Sequence, residues 1–299
     1  MVFNMINFEI LGAICAMPAF MFLAAQGWIW LVVAFVSFPV VYNVLKHRVI
    51  HNKRRSRFFA TWSVMSFFFL LAVFELEVVP YLEILFSENL ALMIFVAIMC
   101  VFIFLVKSSS QPASFSPYSN NGLTTKIDLS KRTRCEVCCS VMPLRTYHCD
   151  LCGYCIHKRD HHSIWLDICI GSRNQKYFLG ALVASLCACL YSSNLTLTTI
   201  CHPFLLGGFL LMPNDCSDVY GDIHMAICFV SAIYTLMIAV YVLYLLLLQL
   251  YLLCYNSTCQ EWKQGQMGVY NKGFYEKSGR VLESSYALGT DKLTSFQNS

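Results

Sequence analysis

The sequence predicts an α-helical multi-pass membrane protein with four core transmembrane helices, an N-terminal apolar extension and a small cytosolic domain rich in cysteine. Two observations predict this fold class. Hydrophobic residues make up 58% of the 299 residues and charged residues 13%, whereas a soluble domain is about half apolar and about a quarter charged. Apolar runs long enough to cross a bilayer, which takes about 20 residues, also flank one polar, cysteine-rich block.

The first predicted unit, residues 1–57, is an apolar extension followed by a basic loop. Its apolar run, residues 10–45, is interrupted at residues 26–27, so it can hold two short spans or one long tilted helix with an interfacial piece. Hydropathy leaves both arrangements open. Residues 1–9 lack a basic stretch, and we therefore expect no removable signal peptide.

The first transmembrane pair is predicted at residues 58–106, with spans at 58–82 and 90–106 joined by a short turn. Basic residues precede this pair and are expected to keep both its ends on the cytosolic side. They are Lys46, His47, Arg48, Lys53, Arg54, Arg55 and Arg57. The formal charge of +4 is modest, so this cluster indicates membrane topology, and nucleic acid is not an expected partner.

Four further regions follow. Residues 107–134 are rich in Ser, Asn, Thr and Lys and predict a cytosolic linker, and residues 135–176 form the cysteine-rich domain. The second transmembrane pair is expected within residues 177–255, with a lumenal segment at 201–223 between its two spans. Residues 256–299 then form a cytosolic tail.

The cysteine-rich domain has the ligand spacing of a two-zinc module. A C-x2-C turn aims two sulfurs at one ion, and the neighbours His148 and Cys149 would project in different directions from an extended backbone, which assigns them to separate, interleaved sites. The first ion would take Cys135, Cys138, His148 and Cys155, and the second Cys149, Cys152, His162 and Cys169. Both sites would be closed and structural, and the domain would need metal to fold. The alternative is a set of buried, unligated thiols.

A catalytic group is predicted directly beside the second zinc site, in the run Asp160-His161-His162-Ser163. If His162 binds zinc, His161 faces elsewhere, and Asp160 can orient its ring. A histidine held in this way acts as a general base for a neighbouring nucleophile, here at position 163. The alternative is a pair that only supports the zinc site.

At this point the chain resembles the DHHC family of protein S-acyltransferases. The family signature runs from C-x2-C through Pro-x-Arg-x2-His-Cys to Asp-His-His-Cys, a Trp and Cys-x-Gly-x2-Asn. Outside the predicted ligands, the matching residues are Pro143, Arg145, Asp160, His161, Trp165, Gly171, Asn174 and Phe178. In the tail, Thr258 and Glu261 are similar to the ends of the family's Thr-Thr-x-Glu motif, and residues 270–282 look like the aromatic-glycine segment that follows it.

The resemblance implies a two-step acyl relay at a membrane. Palmitoyl-CoA, or another long-chain acyl-CoA, would acylate the motif cysteine, and the acyl group would then pass to a cysteine of a client protein. The acyl chain would lie in membrane lipid among the four core spans. Residence in the endoplasmic reticulum or Golgi is also implied.

The sequence departs from the family at the nucleophile, where Ser163 replaces cysteine. A hydroxyl ionises less readily than a thiol, and an oxygen ester is more stable than a thioester, so we expect either no acyl-enzyme or a trapped one. Cys139 and Cys259 are the candidate substitute nucleophiles. Further departures at Ile164, Ile168, Cys259 and Lys277 favour natural divergence over a single engineered change. The competing interpretation is an inactive relative that binds clients or acyl-CoA as a membrane scaffold.

Overall fold

The computed structural model describes residues 2–51, 56–112, 133–207 and 210–270. Most of the predicted linker and the predicted aromatic-glycine segment, including Lys277, lie outside these residues. The chain divides into two compact units, residues 1–247 and 248–299, which are described separately below.

The N-terminal extension contains two helices, α1 (Val2–Ala24) and α2 (Trp28–His51). The break between them includes Gly27, whose φ of +148° suits a residue without a side chain. Of the two arrangements that hydropathy left open, the structure therefore has the two-helix one.

The remaining long helices of the first unit are α3 (Phe58–Val73), α5 (Phe86–Ser108), α6 (Gln175–Ile200) and α7 (Ile223–Cys254), the last of which runs into the second unit. Among the described residues, five helical segments are long and apolar enough to cross a membrane. They are Trp28–Leu45, Phe58–Tyr81, Phe86–Ser108, Gln175–Ile200 and Ile223–Cys254. The apolar part of α1, Glu9–Ala24, is shorter. The protein is thus a multi-pass membrane protein.

The extension packs into the core of the first unit. The Phe20 ring of α1 lies 6.2 Å from the Trp62 ring of α3 and 6.0 Å from the Tyr234 ring of α7. Trp62 Nε1 donates a hydrogen bond of 3.0 Å to Tyr234 Oη, so the one polar atom of this indole is satisfied where it is buried. Glu9 Oε2 accepts a 3.1 Å hydrogen bond from the backbone N–H of Arg57, where α3 begins. Helix α1 is therefore part of the folded core.

One end of α3 is widened by a π-helical turn, Phe74–Val78, which leads into the short helix α4 (Val79–Tyr81). This turn carries two carboxylates. Glu77 pairs with His224 Nδ1 of α7 at 2.7 Å, and Glu75 Oε2 accepts a 3.2 Å hydrogen bond from Asn89 Nδ2 of α5. Polar contacts thus join three helices at this end. The turn is a π-bulge, a feature that is frequent at functional sites.

In the described part of the first unit there are also four two-stranded antiparallel hairpins. Three of them, β1–β2, β3–β4 and β5–β6, lie between α5 and α6. Their strands are Thr133–Cys135, Ser140–Met142, Thr146–Cys149, Tyr154–His157, His161–Ser163 and Ile168–Ile170. The fourth hairpin, β7 (His202–Leu206) and β8 (Leu210–Asp215), lies between α6 and α7, and a disulfide joins Cys201 to Cys216 at its base. We did not predict this hairpin or its disulfide from the sequence.

The second unit contains the end of α7 and the short helix α8 (Cys259–Lys263). Asn256 follows α7 with a left-handed φ of +46°, a conformation typical of residues just beyond a helix end. Thr258 and Glu261 form a reciprocal capping box at the start of α8, so the two tail residues of the predicted motif have a clear local structural role.

Candidate active site and metal centres

The structure gathers the eight predicted ligands into two groups of four, with the membership that the sequence analysis assigned. In the first group, Cys138 Sγ lies 3.3 Å from His148 Nδ1 and 3.7 Å from Cys155 Sγ. Cys135 Sγ also accepts a hydrogen bond from the Cys138 backbone N–H at 3.4 Å. Ligand atoms around a tetrahedral zinc ion are separated by about 3.3–3.8 Å, so this group fits one zinc ion.

The second group has the same geometry. Cys152 Sγ lies 3.3 Å from His162 Nδ1 and 3.5 Å from Cys169 Sγ, and Cys149 Sγ lies 3.9 Å from His162 Nδ1. Cys149 and Cys169 are almost fully buried. The group therefore fits a second zinc ion, held without an open position for water.

Strand pairing explains why the two groups interleave along the sequence. His148 lies opposite Cys155 in the β3–β4 hairpin, and His162 lies opposite Cys169 in β5–β6. Each group therefore combines one cross-strand His/Cys pair with one C-x2-C turn. Because side chains alternate along a strand, Cys149 points away from the face that His148 uses and joins the other group.

The clustered thiols shift one another's pKa in opposite directions. Hydrogen bonds with Cys152 and Cys169 lower the pKa of Cys149, whereas hydrogen bonds with Cys149 and Cys152 raise the pKa of Cys169. In the other group, burial and the neighbouring Cys135 raise the pKa of Cys155 to about 12. Thiolates packed this closely repel one another, and a divalent cation is the group that stabilises them together.

Two further side chains, which the ligand spacing did not predict, support the second group. Asp167 Oδ1 lies 3.7 Å from His162 Nε2, and Arg159 Nη2 donates to Cys149 Sγ at 3.7 Å. A carboxylate on the far nitrogen of a metal-binding histidine fixes its tautomer. The signal was present in the sequence, since Asp167 falls within the turn that joins the two ligand-bearing strands β5 and β6.

The predicted acid-base pair is formed beside this group. His161 Nδ1 and Asp160 Oδ2 are 2.7 Å apart, and Asp160 is 1% exposed. The backbone N–H of Asp160 donates to Ile170 O at 2.9 Å, which ties the Asp160 backbone to β6. The His161 ring also meets the Phe178 ring edge-on at 5.6 Å. The imidazole is therefore oriented from two sides, and Nε2 is the ring nitrogen that does not face Asp160.

Ser163 shares a strand face with His161, because the two residues are two positions apart in β5. Its side chain is 7% exposed, and its Oγ accepts a hydrogen bond from the Leu166 backbone N–H at 3.4 Å. Within the described residues, Ser163 Oγ makes no hydrogen bond with His161. The pair and the serine are thus on the same side of the hairpin, and the hydroxyl is held by the backbone of its own turn.

Trp165 attaches this hairpin to the transmembrane helices. Its ring stacks on Tyr42 of α2 at 5.6 Å with an interplanar angle of 7°, and it meets Phe59 of α3 edge-on at 5.3 Å. Its backbone carbonyl accepts a 2.8 Å hydrogen bond from Ser63 Oγ, and its Nε1 donates to Tyr241 Oη at 3.2 Å. The predicted supporting tryptophan therefore fixes the position of the Asp-His pair against α2, α3 and α7.

Asn174 makes a comparable attachment to α5. Its Oδ1 accepts from the Gly171 backbone N–H at 2.9 Å, and its Nδ2 donates to Cys169 O at 3.0 Å and to Val106 O at 3.3 Å. The side chain is 2% exposed. All three of these partners are backbone groups, so the residue couples a zinc-ligand strand to the end of a membrane helix.

The other predicted residues are placed as follows. Arg145 is buried, with a left-handed φ of +65°, in the turn before β3. Cys139 is exposed, and its Sγ donates to Glu136 O at 3.3 Å. Thr258, Cys259 and Glu261 lie in the second unit, where Thr258 N–H donates to Glu261 Oε2 at 2.9 Å.

Fold and site together define a class of protein, a multi-pass membrane protein with an Asp-His pair mounted on a Cys/His two-metal domain. Residues 128–266 match the family model described as DHHC palmitoyltransferase. The part of the chain that runs from the end of the predicted linker to α8 is therefore a DHHC palmitoyltransferase domain.

The chain is similar over most of its length to named members of that family. It is 26% identical to Palmitoyltransferase ZDHHC23 of Mus musculus, across 90% of this chain and 76% of the relative. Its identity to Palmitoyltransferase ZDHHC23 of Homo sapiens is 27%, across 96% of this chain and 78% of the relative. It is also 28% identical to Probable protein S-acyltransferase 15 of Arabidopsis thaliana, across 71% of this chain and 77% of the relative.

Proposed function

We propose that this protein is a membrane-bound protein S-acyltransferase that takes palmitoyl from palmitoyl-CoA for transfer to cysteines of client proteins, and that Ser163 holds the acyl group as an oxygen ester. The observation that carries this proposal is the 2.7 Å Asp160–His161 pair on the strand face that also presents Ser163. The retained pair supports acid-base chemistry at this position.

In the proposed first step, His161 Nε2 accepts the proton of Ser163 as Oγ attacks the thioester carbonyl. The C–S bond breaks, and the departing CoA thiolate takes the proton back from His161. Asp160 keeps the imidazole oriented and stabilises its charged form. For this step the Ser163 side chain has to turn from Leu166 toward His161.

The second step is where serine and cysteine differ. A client thiol would transfer its proton to His161 as its sulfur attacks the ester carbonyl. The C–O bond would then break, and the Ser163 oxygen, a poorer leaving group than a thiolate, would take the proton back from His161. Transfer from oxygen ester to thiol also runs uphill. Ser163 therefore makes the acyl-enzyme long-lived and slows release to clients.

The two metal groups have a structural role in this proposal. They would hold two zinc ions through the eight Cys and His ligands, and zinc would supply folding free energy to hairpins that bury little apolar surface. The acid-base chemistry belongs to Asp160, His161 and Ser163. The hairpins are supported by Arg145, Trp165 and Asn174. The start of α8 is capped by Thr258 and Glu261.

We further propose that the zinc domain faces the cytosol and that the segment between α6 and α7 faces the lumen of the endoplasmic reticulum or Golgi. Two features support this orientation. Free thiolate ligands persist in a reducing compartment, whereas the Cys201–Cys216 disulfide suits an oxidising one. Acyl-CoA would then reach the site from the cytosol, with its chain among the core helices.

The test is autoacylation of the purified full-length protein in nanodiscs with alkyne-tagged palmitoyl-CoA, followed by neutral hydroxylamine. We expect label that resists hydroxylamine and is lost in Ser163→Ala and in His161→Ala. Ser163→Cys should give hydroxylamine-labile label. Absence of label from both the unmodified protein and Ser163→Cys would overturn the acyl-relay proposal.

One observation favours a second candidate, a scaffold that binds acyl-CoA or clients without transfer. Ser163 Oγ is buried and hydrogen-bonded to Leu166 N–H. If the unmodified protein takes no label while Ser163→Cys does, the site is intact and serine has silenced it, which selects the scaffold.

A further inference from the structure

The β7–β8 hairpin presents apolar side chains outward on both strands. Phe204, Leu205 and Leu206 are 44%, 61% and 50% exposed, and Leu211 on the partner strand is 46% exposed. The stretch 203–213 contains no charged residue. Contiguous apolar surface of this kind marks a contact with a partner or a membrane.

The hairpin is also amphipathic along its length. Its base is polar and is closed by the Cys201–Cys216 disulfide, with Asp215 on the last position of β8 and Asp218 exposed just beyond it. The tip is apolar. An apolar end and a charged end are the features of a segment that lies across a membrane interface.

The position of the tip follows from its contact with α6. Asn194 Nδ2 donates to Leu211 O at 3.1 Å. Asn194 lies six residues before the end of α6 at Ile200, which is about 9 Å along a helix axis. The base of the hairpin adjoins the end of α6, so the hairpin folds back along this helix and its tip reaches the level of Asn194.

The length of α6 places that level at the edge of the hydrocarbon. A helix of 26 residues is about 39 Å long, which exceeds a hydrocarbon core of about 30 Å. The last turns of α6 therefore extend into the interface, and their hydroxyls bond to carbonyls of their own helix, as Thr198 does to Asn194 O at 2.8 Å.

Backbone chemistry limits how deep the hairpin can go. A two-stranded ribbon has open edges, which are costly in hydrocarbon because their polar groups lack partners. This hairpin reduces that cost, since Pro203 lies opposite Pro213 and neither has an N–H, and since Asn194 satisfies Leu211 O. An interfacial depth accommodates both the apolar tip and the remaining open edge.

We propose that the β7–β8 hairpin is a lipid-binding anchor whose tip inserts among the phospholipid acyl chains at the interface, on the side of the membrane where α6 ends. The disulfide holds its base at the surface, and Asn194 holds its tip against α6. This anchor is independent of acyl transfer at Ser163.

The test places a photoreactive benzoylphenylalanine at Leu205 in the full-length protein, reconstituted in phosphatidylcholine nanodiscs. The matched control carries the same residue at Asp218, which is also exposed and lies in the same segment. After irradiation, intact mass spectrometry should find a phosphatidylcholine adduct at Leu205, at least about tenfold more abundant than at Asp218. The Cys201–Cys216 disulfide, read from the same spectra, reports that the hairpin is folded.

Leu211 provides a second labelling site, so poor yield at one position does not prevent a result. Equal lipid adducts at the tip and at Asp218 would overturn the proposal. An adduct with the mass of a second chain, in place of lipid, would also overturn it and would identify the tip as a protein interface.

Discussion

Two kinds of hairpin lie at opposite ends of α6. At its beginning, β5–β6 carries His162 and Cys169 as metal ligands, and at its end, β7–β8 is closed by the disulfide between Cys201 and Cys216. Neither kind buries enough apolar surface to be stable alone, because a two-stranded hairpin is at best marginal in water. Each therefore needs cysteine, used as a thiolate ligand in one place and as a covalent bridge in the other. The difference divides the molecule into a metal-dependent end and a redox-dependent end.

The largest effect should come from removing a metal ligand. Cys149→Ala should reduce bound zinc from about two ions per chain to about one or fewer, because structural zinc in small domains contributes about 10–16 kcal/mol. The zinc content of purified protein and the proteolysis of residues 133–174 measure this. Cys139→Ser is the matched control, since Cys139 is exposed and belongs to neither group. Unchanged zinc content in Cys149→Ala would contradict the interleaved assignment.

The next effect concerns acyl transfer, which we propose for the metal-dependent end of the molecule alone. In a Ser163→Cys background, Asp160→Asn should slow formation of labile acyl-enzyme by about 10²–10⁴-fold, the usual contribution of an oriented general base. The Asp160–His161 distance of 2.7 Å is the reason for this expectation. Zinc content should stay the same, because Asp160 belongs to neither ligand group. If zinc is lost together with activity, the pair is a support of the metal site and not a catalytic one.

The sequence predicted the metal-dependent end in detail and missed the redox-dependent end. Ligands such as Cys149 and Cys152 are close in the chain, so spacing alone constrains them. The partners Cys201 and Cys216 belong to a chain with 16 cysteines and have no motif. A Gly-Gly pair between two apolar runs at residues 203–213 was the available signal for a hairpin.

Other features depended on contacts between distant residues. Hydropathy predicted the spans and located the interruption at residues 26–27, but it did not predict the π-helical turn at Phe74–Val78 or the stacking of Tyr42 on Trp165. The last of these joins the N-terminal extension to the hairpin that carries His161, over more than a hundred residues. Local sequence patterns do not encode contacts between distant residues, so the sequence predicted the extension as separate from the core.

Loss of the disulfide should have a moderate effect confined to the other end. The double variant Cys201→Ser, Cys216→Ser should lose about 3 kcal/mol of stability, the value expected for a closed loop of about 15 residues. Proteolysis within residues 201–222 should increase, while zinc content and acylation should not change. Reduction of the unmodified protein should reproduce the variant. Release of zinc on loss of this bridge would show that the two ends are energetically coupled.

The smallest expected effects come from one asparagine at each end of α6. Asn174→Ala removes hydrogen bonds to Gly171 N–H, Cys169 O and Val106 O in a buried position, and the groups left unpaired should cost about 2–3 kcal/mol. Asn194→Ala removes one solvent-exposed hydrogen bond, to Leu211 O, and should cost about 1 kcal/mol or less.

Melting temperatures of the two variants in nanodiscs should therefore fall more for Asn174→Ala than for Asn194→Ala. Asn174→Asp is the informative intermediate, because it retains an acceptor for Gly171 N–H and loses only the two donated bonds. An equal or reversed order would mean that lipid around β7–β8 makes the single bond of Asn194 as valuable as three bonds in a protein interior. The interfacial depth proposed for the hairpin leaves water within reach of Leu211 O, so the smaller loss is expected for Asn194→Ala. An equal or reversed order would place this carbonyl deeper, in hydrocarbon where no water replaces the lost donor.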